Sequence, residues 1–236
     1  MLFIYSGEVP ALDRRLSYEL GVNHRLLTIS YAVDEPCAAL EAREYFRGCG
    51  INAHALSKRA CHEKSQLRNE IFTSDAVYLS GGNTYQFLAF AKEIGLFSLL
   101  QTFESLGGII VAESAGSIIL SSDISTAAIP TTCPDENNAS ITDFQAMGRL
   151  SFHVSPHYDP NAPQATDEMK ELQRLANLSN TPVLILHDGA GIMMQGNEVV
   201  FSTGSPTWLS ASNEKPLASG FSNKIDTQAE VHSLAS

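Results

Sequence analysis

The sequence predicts an α/β fold, a three-layer α/β/α sandwich in which helices cover both faces of a mainly parallel sheet. Three observations predict it. Short apolar runs alternate with helical stretches through the first half of the chain, and such alternation makes parallel pairs, because each needs a crossover connection. The runs are almost wholly apolar, as strands buried on both faces must be. Two of them end in small-residue turns, Gly81-Gly82-Asn83 and Glu113-Ser114-Ala115-Gly116, and sheets of this kind place their sites beyond the carboxyl ends of the strands.

In chain order, Leu2–Ser6 reads as the first buried strand, and a helix over Leu12–Leu20 stops near Gly21. Arg25–Ala32 is a second strand, Pro36–Phe46 a helix ended by Gly48 and Gly50, and Ile51–Leu56 a shorter third strand. Glu63–Phe72 is helical, and the strand Asp75–Ser80 runs into Gly81-Gly82. Helices over Thr84–Lys92 and Phe97–Ser105 precede Gly107-Gly108, after which the strand Ile109–Ala112 reaches Glu113-Ser114-Ala115-Gly116 and Ser117–Leu120 turns helical.

The second half is less regular. Pro130–Thr142 is rich in turn formers and predicts a long surface loop near the site. The strand Leu150–Val154 leads into Ser155-Pro156-His157-Tyr158-Asp159-Pro160, followed by a helix over Thr166–Leu178. The strand Pro182–Leu186 ends in His187-Asp188-Gly189, and Ile192–Met194 with Glu198–Phe201 predicts a hairpin across Gly196-Asn197. The chain shows no repeat or linker, so residues 1–210 are read as one domain. Residues 211–236, small and polar, are read as a partly disordered tail.

Composition excludes several classes. A net charge of −11 with no basic run argues against nucleic acid and anionic membranes as partners. No apolar stretch is long enough to span a bilayer. The apolar start lacks a basic n-region and reads as a strand, not a signal peptide. Cys37, Cys49, Cys61 and Cys133 show neither close pairing nor metal spacing, which points to free thiols in the cytoplasm and to no metal site.

Ser114 sits between an apolar strand and a small-residue helix start, the setting of a nucleophile elbow. There a tight turn exposes the hydroxyl, frees the next backbone N–H, and demands small neighbours. Ala112 stands where G-x-S-x-G has its first glycine. A turn serine or helix cap would give the same pattern. Gly81 and Gly82, at a preceding strand end, could present an N–H toward the same crevice and with Ala115 form an oxyanion hole. A tight turn capped by Asn83 or Thr84 is the alternative. His157 lies in a loop stiffened by Pro156 and Pro160, which can fix an imidazole or merely redirect the chain. Asp188 follows another strand and could orient such an imidazole.

Together these segments resemble dipeptidase E and its relatives, the cyanophycinases among them. The resemblance rests on Leu79–Leu88, Glu113–Gly116, Val154–Asp159, Pro182–Gly189 and Gly204–Leu209, in the same order and at similar spacing. It implies a glutamine-amidotransferase-like fold and a serine peptidase acting on small peptides through an acyl-enzyme. The family's Ser-His-Glu set would fall on Ser114, His157 and Asp188, and its oxyanion hole on Gly81, Gly82 and Ala115. Asn83, Thr84, Glu113 and Asp159 would border the substrate. No cofactor is implied, and a monomer or a homodimer would serve.

The chain departs from the family pattern at three points. Asp188 replaces the usual Glu, Glu113 stands where relatives often carry an aromatic or small residue, and Ala128 replaces an Asp before Ile129-Pro130. Members that accept acidic substrates tend to carry arginines soon after the histidine, and Asn161–Glu171 has none. Two other readings compete, a hydrolase of another amide or ester with the same triad, and a binding module that kept only the fold. His187, Asp159 or Glu113 are the alternatives to Asp188 as third member.

Overall fold

The computed structural model describes residues 1–31, 37–129 and 134–211. The elements follow in order as β1 (Leu2–Tyr5), α1 (Pro10–Leu20), β2 (Leu26–Ile29), α2 (Cys37–Gly48) and β3 (Ala53–Ala55). Next come α3 (Lys58–His62), α4 (Lys64–Phe72), β4 (Ala76–Leu79), α5 (Thr84–Ile94), α6 (Leu96–Ser105), β5 (Ile109–Glu113) and α7 (Ala115–Ile118). The chain continues through β6 (His153–Ser155), α8 (Ala165–Ser179), β7 (Val183–Ile185), β8 (Gly191–Gln195), β9 (Glu198–Thr203) and β10 (Thr207–Leu209). Local chemistry sets several boundaries. Pro10 opens α1, where a missing N–H costs nothing. Gly95, at φ 71°, separates α5 from α6 with a left-handed cap.

The main sheet has seven strands in the order β3-β2-β4-β5-β1-β8-β9. The first five run parallel, and β8 and β9 are added antiparallel beside β1. Side chains alternate between two cores. Phe3, Tyr5, Tyr78 and Val111 face one core with Leu12 and Leu16 of α1 and Phe46 of α2. Leu2, Ile4, Leu79 and Ala112 face the other with residues of α4 to α7, among them Leu67, Phe87, Leu100 and Ile118. The sheet is therefore covered on both faces, as expected.

One feature goes beyond the expectation. β6 and β7 pair with each other in parallel, and β10 adds antiparallel, as a second sheet of three strands. α8 packs Leu172 and Ala176 on Val183 and Ile185 of this sheet, while Val154, Leu184 and Leu186 join the main core. β10 and α3 were absent from the sequence reading, being three and five residues long, too short to show a period. The β8–β9 hairpin forms where it was expected. Of the predicted loop Pro130–Thr142, residues 130–133 lie outside the described residues, as do residues 212–236 of the polar tail. Among the described residues no helix is long and apolar enough to cross a membrane.

Candidate active site

The carboxyl ends of β1, β4 and β5 lie side by side, and the candidate residues gather there. Ser114 extends the pairing of β5 by one bond, its N–H donating to Tyr5 O at 3.0 Å. The chain then turns abruptly, with Ser114 at φ 49° and ψ −115°. That left-handed φ is costly for a residue with a Cβ and is held only where the surroundings over-determine it. Two neighbours do so. Ser117 Oγ donates to Ala112 O at 2.7 Å, closing the turn from beneath. Gly116 lies so close to β4 that a Cβ on it would stand 2.5 Å from Leu79 O. This is why the elbow needs glycine at 116.

Ser114 is the N-terminal flanking residue of α7, yet its side chain makes no capping bond. Its Oγ lies instead 2.8 Å from His157 Nε2. The helix-cap alternative for this serine therefore does not describe its side chain.

His157 reaches the site from the loop after β6. Its backbone is also left-handed, at φ 61°. Its N–H donates to Ser6 Oγ at 2.8 Å, and the next N–H, of Tyr158, donates to Leu186 O at 3.0 Å. The loop is thus tied to the end of β1 and to the residue following β7. His157 Nδ1 lies 2.5 Å from Asp188 Oδ1. With the Nδ1 proton directed to Asp188, Nε2 is left to accept the Ser114 hydroxyl proton. The Asp188 side chain is 78% exposed and that of His157 35%, so this carboxylate works at the rim of the site.

Gly81 and Gly82 follow β4 and face the elbow. A Cβ on Gly81 would sit 3.2 Å from Ser114 Cβ and 3.8 Å from its Oγ. Gly82 has φ 122°, and a side chain there would collide with the Tyr31 hydroxyl. Among the described residues none accepts a hydrogen bond from the N–H of Gly82 or of Ala115.

The four residues expected to border the substrate divide. Glu113 stands beside Ser114, and one of its oxygens, Oε2, accepts a hydrogen bond from Tyr78. Burial pushes its carboxyl above the usual value, while the Tyr78 bond and the nearby His157 pull the other way. Asn83 is the N-cap of α5, its Oδ1 accepting from Gln86 N at 3.0 Å and its Nδ2 donating to Glu136 O at 2.9 Å. Thr84 is fully buried, and its N–H donates to Asp135 Oδ2 at 2.8 Å. Its side chain is out of a substrate's reach. Asp159 is exposed and holds its own turn, Oδ1 accepting from Asn161 N at 2.9 Å. The capped-turn alternative thus describes Asn83, and Thr84 and Asp159 serve packing and a turn. His187 Nδ1 lies 3.1 Å from Tyr158 O, and it is Asp188 that bonds the His157 ring.

Sequence reading missed Ser6, Tyr31, Tyr78 and Asp135. Ser6 follows β1, and the strand-end rule that singled out Asp188 could have found it. The others contact the site from inside or beside elements, and nothing local marks them.

Among the described residues no group of three or more His, Cys, Asp or Glu side chains is placed to hold a metal ion. The hydrogen-bonded line from hydroxyl to imidazole to carboxylate can supply an activated nucleophile and a proton carrier.

The model of peptidase family S51 matches residues 8–201. The chain is 27% identical over 190 residues to peptidase E of Shewanella amazonensis, covering 76% of this chain and 74% of that one. It is 26% identical over 183 residues to a protein of Drosophila melanogaster named as a probable alpha-aspartyl dipeptidase, covering 74% and 71%. The crystal structure of a protein assigned as peptidase E from Listeria monocytogenes superimposes with a TM-score of 0.67 at 23% identity. It covers 86% of this chain and 98% of that one, a likeness of fold.

Proposed function

Because this chain belongs to peptidase family S51, we propose that it cleaves small peptides with Ser114 as nucleophile, His157 as general base and Asp188 as the carboxylate that orients it. The chain is an enzyme, a peptide hydrolase of the dipeptidase E kind. The observation that carries the assignment of residues is the unbroken line from Ser114 Oγ through His157 to Asp188, at 2.8 and 2.5 Å.

Ser114 Oγ attacks the scissile carbonyl carbon while His157 Nε2 takes its proton. The carbonyl oxygen becomes an oxyanion, and the N–H groups of Gly82 and Ala115, which have no acceptor among the described residues, are the donors suited to it. Collapse breaks the C–N bond, His157 passes its proton to the leaving amine, and an ester to Ser114 remains. Water, deprotonated by the same imidazole, hydrolyses that ester and restores Ser114. Asp188 holds the imidazole in the tautomer that this sequence requires and stabilises its cation.

A reducing, cytoplasmic setting also belongs to this reading, supported by the unpaired thiols of Cys49 and Cys61. The test of the assignment is dipeptide turnover by Ser114→Ala. A drop of about 10⁵- to 10⁶-fold in kcat is expected, as in hydrolases that lose their serine. Turnover within tenfold of the parent enzyme would refute it.

A further inference from the structure

Glu113 occupies a place that the acyl-transfer chemistry leaves unused. It is the last residue of β5, directly before Ser114. Its Oε2 is held from below by the hydroxyl of Tyr78, a side chain only 5% exposed. Its Oε1 lies 3.7 Å from the point where a Cβ on Gly81 would stand, and Ser114 Oγ lies 3.8 Å from the same point. Carboxylate and nucleophile therefore flank one notch, the space left by the missing side chain of Gly81.

Charge makes the placement informative. A negative group beside a developing oxyanion opposes the transition state unless something cancels it. Among the described residues no Lys or Arg forms an ion pair with Glu113. Its neighbours Glu8 and Asp13 are acidic, and burial and these charges push its carboxyl upward. Only the Tyr78 hydroxyl and the His157 ring favour its ionised form. A partly buried carboxylate so short of positive partners gains from any cation that arrives. In a peptide whose first carbonyl lies against Ser114 Oγ, the α-nitrogen is two bonds from the carbon under attack. A free amino terminus brings its positive charge into this notch.

We infer that Glu113 is the anchor for the α-ammonium of the substrate, the residue through which this enzyme selects the free amino terminus of the peptides it cleaves. The inference rests on the Ser114 reading above and adds to it the residue that recognises the substrate's free amino terminus. An N-blocked substrate loses the ion pair and leaves the carboxylate uncompensated beside the oxyanion.

The experiment compares leucine p-nitroanilide with acetyl-leucine p-nitroanilide in the parent enzyme, Glu113→Gln and Glu113→Asp. The parent is expected to favour the free amine by at least tenfold in kcat/KM. Glu113→Gln should lower kcat/KM for the free amine by about 10- to 100-fold, the size of a lost hydrogen bond to a charged group, and raise it for the acetylated substrate by removing the uncompensated charge beside the oxyanion. Glu113→Asp, which keeps the charge, should retain part of the preference. Equal losses on both substrates, or a preference unchanged in Glu113→Gln, would overturn the inference. A fluorophosphonate probe applied to each protein separates the two levels. Labelled Ser114 with unchanged preference overturns the ammonium anchor alone, whereas Ser114 unlabelled in the parent enzyme overturns the anchor together with the reading beneath it.

Discussion

Ser114 and His157 meet with Oγ and Nε2 2.8 Å apart, and both hold left-handed backbone, at φ 49° and 61°. Such conformations cost about 1–3 kcal/mol each in a residue with a Cβ. Both are anchored on consecutive residues at the end of β1. Ser114 N–H donates to Tyr5 O at 3.0 Å and His157 N–H donates to Ser6 Oγ at 2.8 Å. The carboxyl end of the first strand is thus the common support that brings the two strained residues into register.

Weakening that support should cost both stability and rate. Ser6→Ala leaves the His157 N–H without its acceptor at a buried position. Stability should fall by about 1–2 kcal/mol, the cost of an orphaned buried donor. Because the imidazole loses its fixed entry angle, kcat should fall by about tenfold or more. Urea titration and steady-state kinetics read the two effects, and an unchanged kcat would show that the loop is positioned by other means.

Asp188→Asn should lower kcat, but less than in triads with a buried acid. Asparagine favours the wrong imidazole tautomer, and in a protease with a buried aspartate the loss is about 10⁴-fold. Here the carboxylate is 78% exposed. Water takes over part of its task and screens its charge, so about 100-fold is expected. Kinetics of the variant against dipeptide decide it. Unaltered turnover would mean that Ser114 and His157 act without a third member.

Much of this site was legible because its chemistry constrains local sequence. An elbow must follow an apolar strand and must have small residues after the serine, and Gly116 against Leu79 O shows the reason. Asp188 was legible as a carboxylate at a strand end. Ser6 satisfies the same rule, yet a serine there carries no mark of its partner 151 residues away. Thr84 misled for a related reason. Its neighbours in sequence border the crevice, but it turns into the core, and only the packing of α5 decides that. Strands were read near β6 and β7, but the second sheet stayed hidden because β10 has only three residues and sequence does not say which strands pair. Their alignment is fixed by contacts between distant segments.

Glu113 should cost the protein stability in a pH-dependent way. Burial raises its carboxyl above the usual value, so the folded state prefers the protonated form. The penalty is absent below the unfolded carboxylate value of about 4 and grows as pH rises through the folded value. Glu113→Gln removes it and keeps an acceptor for Tyr78. The variant should therefore melt higher than the parent at pH 8, and the gap should close as pH falls to 4. Melting curves across that range test this, and a gap that widens toward low pH would contradict it.

Specificity should depart from that implied by the name of the Drosophila relative. A substrate aspartate needs a cationic partner when buried. The segment Asn161–Glu171 has no arginine. Arg149, the nearest alternative in sequence, is committed elsewhere, gripping Glu104 at 2.6–2.9 Å and Gly196 O at 2.8 Å. Lys170 pairs with Asp167 at 2.8 Å. Dipeptides with Asp first should be poor substrates beside those with Ala, Leu or Lys, given a common second residue. Preference for Asp by tenfold in kcat/KM, about 1.4 kcal/mol, would show that another cation serves the pocket.

Labelling with a fluorophosphonate probe followed by peptide mapping shows whether Ser114 is the activated nucleophile. The probe reacts with a hydroxyl whose proton an adjacent base removes, and the 2.8 Å contact with His157 makes Ser114 that hydroxyl. One adduct per chain is expected, on the peptide containing Ser114, absent from Ser114→Ala and strongly slowed in His157→Ala. An adduct on another serine, or labelling that persists unchanged in Ser114→Ala, would rule out Ser114 as the nucleophile.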